Sequence, residues 1–364
     1  MTSRGKVDRR GVSDAKAEWT LLLYMAGLKS AGGQDGFARA EARLVTALAG
    51  VPGGPDLRVL YEMSTEQGMR RGRIRGDGSG LELLEKKDGP TDPAAPESLT
   101  SFVDWAARRY PSERTALVLK GHGGGLDRPV GGIASDHYLA VSGLRSALEQ
   151  TGRKQVDFCG LDACDMGLLE VAYELRNVAS HFVATQSVEP TMAWPYKKSI
   201  EVLREGNVEP GAFAKIVARE NKSAFLAATD LERIESLASS VDQIGDGLRQ
   251  LLRKDRARVA ALRDRLTSFG VENHYVDLKQ LLDALGGVMK ADALLEDAHE
   301  TLAGDCFAPW PMFLSGGVDA GGLSIFFPRA TGSTYLASYG QMQIARKNRW
   351  AGFVKEFCSP ARAS

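Results

Sequence analysis

The sequence predicts an α/β fold, a mostly parallel central sheet with helices on both faces. Three observations carry that reading. Apolar runs at 20–26, 116–119 and 156–161 are near-continuous rather than alternating, as in strands covered on both sides. Segments with helical apolar spacing separate such runs, giving the strand–helix alternation of parallel sheets. Two of the strands end in chemically loaded turns, Lys120-Gly121-His122-Gly123-Gly124-Gly125 and Gly160-Leu161-Asp162-Ala163-Cys164. Open α/β sheets place their chemistry at the carboxyl ends of strands.

In chain order, residues 1–18 are polar and charged and form a flexible head. The strand at 20–26 follows. Leu44 to Ala49 predicts a helix that Gly50 and Pro52-Gly53-Gly54-Pro55 terminate. A second strand is expected at 57–63, and the Gly-, Pro-, Arg- and Asp-rich stretch 64–96 is a long loop or a small hairpin. Leu99, Phe102, Val103 and Ala106 lie at helical spacing, with Pro111 beyond the end. After the strand at 116–119 come a short helix at 144–149, the strand at 156–161, a helix at 166–175 and a strand at 181–186. Pro210 opens another helix. A strand at 224–229 precedes a long amphipathic helix at 231–252, with Ile234, Leu237, Val241, Ile244 and Leu248 on one side. A last strand is expected at 322–328. The expected organisation is a flexible 1–18, a catalytic core at 19–200 and a mainly helical region at 201–364 that returns a strand to the core.

Gross composition excludes several classes. Lys plus Arg equals Asp plus Glu at 46 each, so no global field draws the chain to nucleic acid or to a membrane surface. No apolar run reaches the ~18 residues of a membrane span. The amino terminus lacks the apolar core of a signal peptide, and four cysteines in 364 residues do not make a disulfide scaffold. A reduced, cytoplasmic protein is expected. At 43% hydrophobic the chain has ample material for a large core.

The two loaded turns pair a thiol with an imidazole. If a helix begins just after Cys164, its free N–H groups favour thiolate. His122 is placed to take the thiol proton and to protonate a leaving amine. Glycines 123–125 allow close backbone approach, so the N–H groups of Gly123 and Cys164 are the candidate oxyanion donors. Asp162, two residues before the cysteine, is the candidate binder of a cationic substrate side chain. Each motif alone is more often a buried small hydrophobe or a plain turn; their joint occurrence at two strand ends points to a cysteine peptidase.

These motifs resemble the clostripain family of cysteine peptidases, in the clan that holds caspases, gingipains, legumains and separase. The matching stretches are Trp19-Thr20-Leu21-Leu22-Leu23-Tyr24-Met25-Ala26, Ala107-Arg108-Arg109-Tyr110-Pro111, the histidine turn, Asp162-Ala163-Cys164-Asp165-Met166-Gly167-Leu168-Leu169-Glu170, Ala184-Thr185-Gln186 with Glu189-Pro190 and Trp194-Pro195-Tyr196, and Gly322-Leu323-Ser324-Ile325-Phe326-Phe327-Pro328. The resemblance implies a caspase-like three-layer α/β/α sandwich, a His122/Cys164 dyad, and cleavage of proteins or peptides after Arg or Lys with Asp162 in the basic-specificity pocket. Many relatives carry a second pocket carboxylate where this chain has Met192. One carboxylate still pairs with a guanidinium, and Arg is favoured over Lys because its fork is planar.

The resemblance further implies latency relieved by cutting between the two motifs or by an activating protease or regulatory partner. Arg128, Arg153 and Lys154 are the candidate processing sites, Arg145 being disfavoured by its helix, and Arg71 in the 70–75 stretch is a further target. No cofactor is expected; some relatives need calcium, but no ligand-rich loop of that kind stands out. Two other readings are open. A catalytically silent, caspase-like peptide-binding or scaffold protein would not need both dyad residues. A serine esterase would match His122-Gly123-Gly124-Gly125 but requires a Gly-x-Ser-x-Gly elbow that is missing. A metal site from His122, Asp136, His137 and Cys164 has no standard spacing.

Overall fold

The computed structural model describes residues 16–25, 56–65, 68–75, 79–126, 128, 130–131, 138–189, 194–221, 226–270, 272–289, 291–308, 320–330 and 333–359. The helix expected at 44–49, residues 1–15 of the head, Asp136, His137 and Met192 lie outside them.

The described strands are β1 (Ala17–Met25), β2 (Leu57–Thr65), β3 (Gly68–Ile74), β4 (Leu81–Asp88), β5 (Ser112–Lys120), β6 (Val130–Gly131), β7 (Tyr138–Leu139), β8 (Val156–Asp162), β9 (Ala179–Thr185), β10 (Leu226–Asp230), β11 (Ser268–Phe269), β12 (Tyr275–Asp277), β13 (Cys306–Phe307) and β14 (Ser324–Phe326). Nine of them form one sheet in the order β13-β10-β9-β8-β5-β1-β2-β3-β4. Its centre, β9-β8-β5-β1-β2, is parallel throughout. Antiparallel strands extend both edges, β10 and β13 on one side and the hairpin β3–β4 on the other. The 64–96 stretch thus holds a hairpin that widens the sheet.

The uninterrupted apolar runs have a direct structural cause. Along β5, Leu117 and Leu119 enter one core and Ala116 and Val118 the other. In β1, Leu22 and Tyr24 face the first core while Trp19, Leu21 and Leu23 face the second. Side chains alternate across a strand, so both sets must be apolar when both faces are covered. Helices Pro96–Arg109, Val141–Gln150 and Leu169–Leu175 supply Phe102, Leu144 and Val171 to one layer; Tyr196–Glu205 and Pro210–Glu220 supply Ile200, Phe213 and Val217 to the other. This is a three-layer α/β/α sandwich.

The carboxy-terminal helices thicken the first layer. Ile234–Lys254, observed close to the expected span, packs Ile244 and Leu248 into the core, and Gly245 lets the backbone of Trp350 approach: a Cβ there would lie 2.5 Å from its amide nitrogen. The expected strand at 322–328 is only three residues long, β14. It pairs antiparallel with β12 in a separate three-stranded sheet and bridges Leu168 through Ser324.

Candidate active site

Parallel pairing of β5 with β8 runs to their carboxyl ends, where Lys120 stands opposite Asp162. Gly121 continues the contact, its N–H donating to the Asp162 carbonyl at 3.3 Å. His122 and Cys164 therefore each leave the sheet two residues beyond a paired position, from adjacent strands. Gly123 explains why the next residue is glycine: a Cβ there would come within 2.2 Å of the Cys164 carbonyl oxygen and 2.8 Å of its nitrogen. The glycine turn lies directly on the cysteine backbone.

Both turns are anchored. The backbone of His122 exchanges hydrogen bonds with Gly131 of β6 at 3.0 and 3.1 Å, and the residue itself is exposed. Gly125 adopts φ 77, and the Tyr275 hydroxyl that crowds it accepts the Leu126 N–H at 2.8 Å. On the other side, Asp165 takes a left-handed φ of 56 with its N–H on Ser187, and Gly167 donates to Thr185 while accepting from Ser324. Gln186 spans behind this loop, donating to Asp277 at 2.9 Å and to Ser324 at 2.7 Å.

The Cys164 thiol is half-buried. It accepts the Glu189 N–H at 3.2 Å and donates weakly to the Glu189 carbonyl at 3.9 Å. Burial pushes this thiol above the ordinary range, with Asp165 and Glu189 adding to the rise and the Glu189 N–H opposing it. The thiolate-favouring helix start expected at Cys164 is corrected here. The helix begins at Leu169, so no helical dipole end meets the sulfur. Burial raises the other thiols as well, Cys159 and Cys306 up to about 12 and Cys358 to about 11.

Asp162 has in-chain partners that spacing alone did not reveal. Its carboxylate, 1% exposed, accepts from Lys120 Nζ at 2.6 Å and from the Tyr196 hydroxyl. Glu189 supplies another carboxyl beside this pair. Its Oε1 accepts from Asn221 at 3.2 Å, and its Oε2 is buried with no hydrogen-bond partner among the described residues. Burial, then the Asp162 charge, pushes Glu189 up to about 8, against the pull of Lys120.

The basic candidates for processing divide by environment. Arg128 and Lys154 are exposed, and Lys154 sits in a tight turn with φ 61. Arg153 is held by the carbonyls of Ser112 and Glu113 and by Asp157. Arg71 lies inside β3 rather than in an exposed loop, paired with Glu62 and bonded to Ser101 at 3.0 Å with its side chain 8% exposed; the expectation of an accessible target there is corrected. Among the described residues no group of three or more His, Cys, Asp or Glu is arranged to hold a metal ion. Among those residues, too, no helix is long and apolar enough to cross a membrane.

A three-layer sandwich with an imidazole and a thiol at neighbouring strand ends defines the caspase-like class of cysteine peptidases. The clostripain family model matches residues 47–301, and the chain belongs to the clostripain family. It is 28% identical over 131 residues to clostripain of Hathewaya histolytica, a stretch covering 30% of this chain and 24% of that protein. The fold is shared with an inactive zymogen C11 protease from Parabacteroides distasonis, TM-score 0.69 and 17% identity over 92% of this chain and 99% of that one. It is also shared with a secreted C11 cysteine protease from Bacteroides thetaiotaomicron bound to an irreversible peptide inhibitor, TM-score 0.67 and 18% identity over 93% and 99%. That relative overturns the expectation of a cytoplasmic location: this fold and family serve in a secreted enzyme, and a polar head is no guide to compartment.

Proposed function

We propose that the chain is a cysteine endopeptidase working through a His122/Cys164 dyad. The carrying observation is the β5–β8 register, which ends at Lys120 opposite Asp162 and sends both residues off adjacent strand ends. With the resting thiol protonated, His122 acts as general base when substrate arrives. Sγ then attacks the scissile carbonyl carbon, and its proton passes to the imidazole. Collapse of the tetrahedral intermediate breaks the C–N bond as that proton moves to the leaving amine, and water hydrolyses the thioester. The N–H groups of Gly123 and Cys164 hold the oxyanion; the close packing of the two backbones supports this pairing.

The proposed substrates are proteins or peptides with a basic residue before the scissile bond, Arg ahead of Lys. Two carboxyl groups, Asp162 and Glu189, beside the nucleophile support it. Latency is part of the proposal, supported by the zymogen form of the Parabacteroides distasonis relative. Exposed Arg128 and Lys154 are the favoured activation cuts, made by the enzyme itself or by another protease.

A fluorogenic peptide panel with Arg, Lys, Asp or Asn before the scissile bond tests this. Arg substrates are expected to turn over fastest, with Cys164→Ala inactive and His122→Ala reduced by about 10²-fold or more. Turnover surviving in Cys164→Ala rejects the mechanism. Absence of turnover in intact and nicked protein alike favours the silent scaffold.

A further inference from the structure

Selectivity for a cation requires a carboxylate whose charge is available to the substrate. Asp162 is poorly equipped for that role. Lys120, from the adjoining strand end, already sits 2.6 Å from Oδ2, and the Tyr196 hydroxyl takes part of the same carboxylate. The pair is nearly closed to solvent, at 13% exposure for the lysine side chain and 1% for the aspartate. A guanidinium entering here would either displace a buried ammonium or stand beside it as a like charge.

Glu189 is differently placed. Its backbone meets the Cys164 sulfur through both N–H and C=O, and its carboxyl lies within electrostatic reach of Asp162 and Lys120. One carboxyl oxygen is held by Asn221; the other is buried with no partner among the described residues. A buried polar oxygen left unpaired costs free energy that a fitting ligand recovers. A planar guanidinium supplies both the charge and the hydrogen-bond donors that this oxygen lacks.

We infer that Glu189 is the specificity-determining carboxylate, receiving the cationic side chain of the substrate while Lys120 neutralises Asp162 as a resident counter-ion. This rests on the peptidase reading and deepens it. The second pocket carboxylate sought at Met192 is supplied three residues earlier in the chain.

The test uses a probe that needs no cleavage. The rate of Cys164 alkylation by iodoacetamide is measured with butylguanidinium or with its neutral isostere butylurea. Butylguanidinium is expected to slow alkylation of the wild-type protein at least about fivefold at concentrations where butylurea changes it less than about twofold. Glu189→Gln removes most of that difference, and Glu189→Asp, if the glutamine variant fails to fold, weakens it. On peptides, the Arg-over-citrulline ratio of kcat/KM falls about tenfold or more in Glu189→Gln. Equal protection by the two probes, or a ratio unmoved by the substitution, overturns the assignment. Guanidinium protection without peptide cleavage by either the intact or the nicked protein rejects the peptidase reading and leaves the cation subsite standing.

Discussion

Cys164 rests as a thiol, because half-burial, with the acidic neighbours Asp165 and Glu189 adding to it, outweighs the backbone hydrogen bonds from Glu189 and from Cys164 itself. Its alkylation rate in the substrate-free protein should therefore keep climbing as pH rises past the ordinary thiol value of about 8.5. A plateau reached below pH 7 would mean a preformed thiolate instead. At this scale the sequence disclosed position where a residue type and a strand end coincide: His122 and Cys164 do leave neighbouring strand ends. Lys120, Tyr196 and Glu189 were hidden for a different reason. Their roles come from register and loop closure, which bring residues 42, 34 and 25 positions apart into contact, and no local pattern announces that. Lys120 stands immediately before the histidine turn, yet only pairing with Asp162 across the sheet gives it meaning.

Individual elements were legible in proportion to their periodicity. Central strands buried on both faces declared themselves through unbroken apolar runs, and the long helix through its apolar stripe. Boundaries set by tertiary contacts did not. The helix expected at 166–175 starts only at Leu169, because the N–H of Asp165 and that of Gly167 are taken by Ser187 and Thr185. Within that helix Glu170 is fully buried, accepts the Phe326 N–H at 2.9 Å, and is pushed up to about 7 by burial. Its folded pKa exceeds the ordinary value of about 4.3, so its contribution is complete below that pH and is lost as pH rises through 7. Glu170→Gln keeps the acceptor and removes the ionisation. Urea titrations should show the variant gaining on the wild type by on the order of 2 kcal/mol between pH 5 and pH 8. An unchanged difference across that range would show that the burial of Glu170 is not costing stability.

At the scale of the whole molecule, one sheet draws on both halves of the sequence. β10 and β13 extend the parallel core beside β9, and β14 braces the loop that carries Cys164 through the Leu168–Ser324 bridge. Such long-range closure is invisible to local patterns, which is why 322–328 reads as a strand but not as a member of a second sheet. The same architecture governs what a cut can do. Cleavage at Arg128 separates β5, β1 and β2 from β8 and β9, whose mutual pairing and shared cores remain. The two pieces should therefore co-elute on gel filtration at neutral pH and part only in denaturant. Separate elution under native conditions would show that the linker, not the sheet, holds them together.

The most direct test of the dyad is the intact mass of the protein after treatment with a peptidyl chloromethyl ketone ending in arginine. A single adduct mapping to Cys164, absent in Cys164→Ala and formed far more slowly in His122→Ala, is the predicted result. An adduct on Cys358, or a rate indifferent to loss of the imidazole, would contradict it.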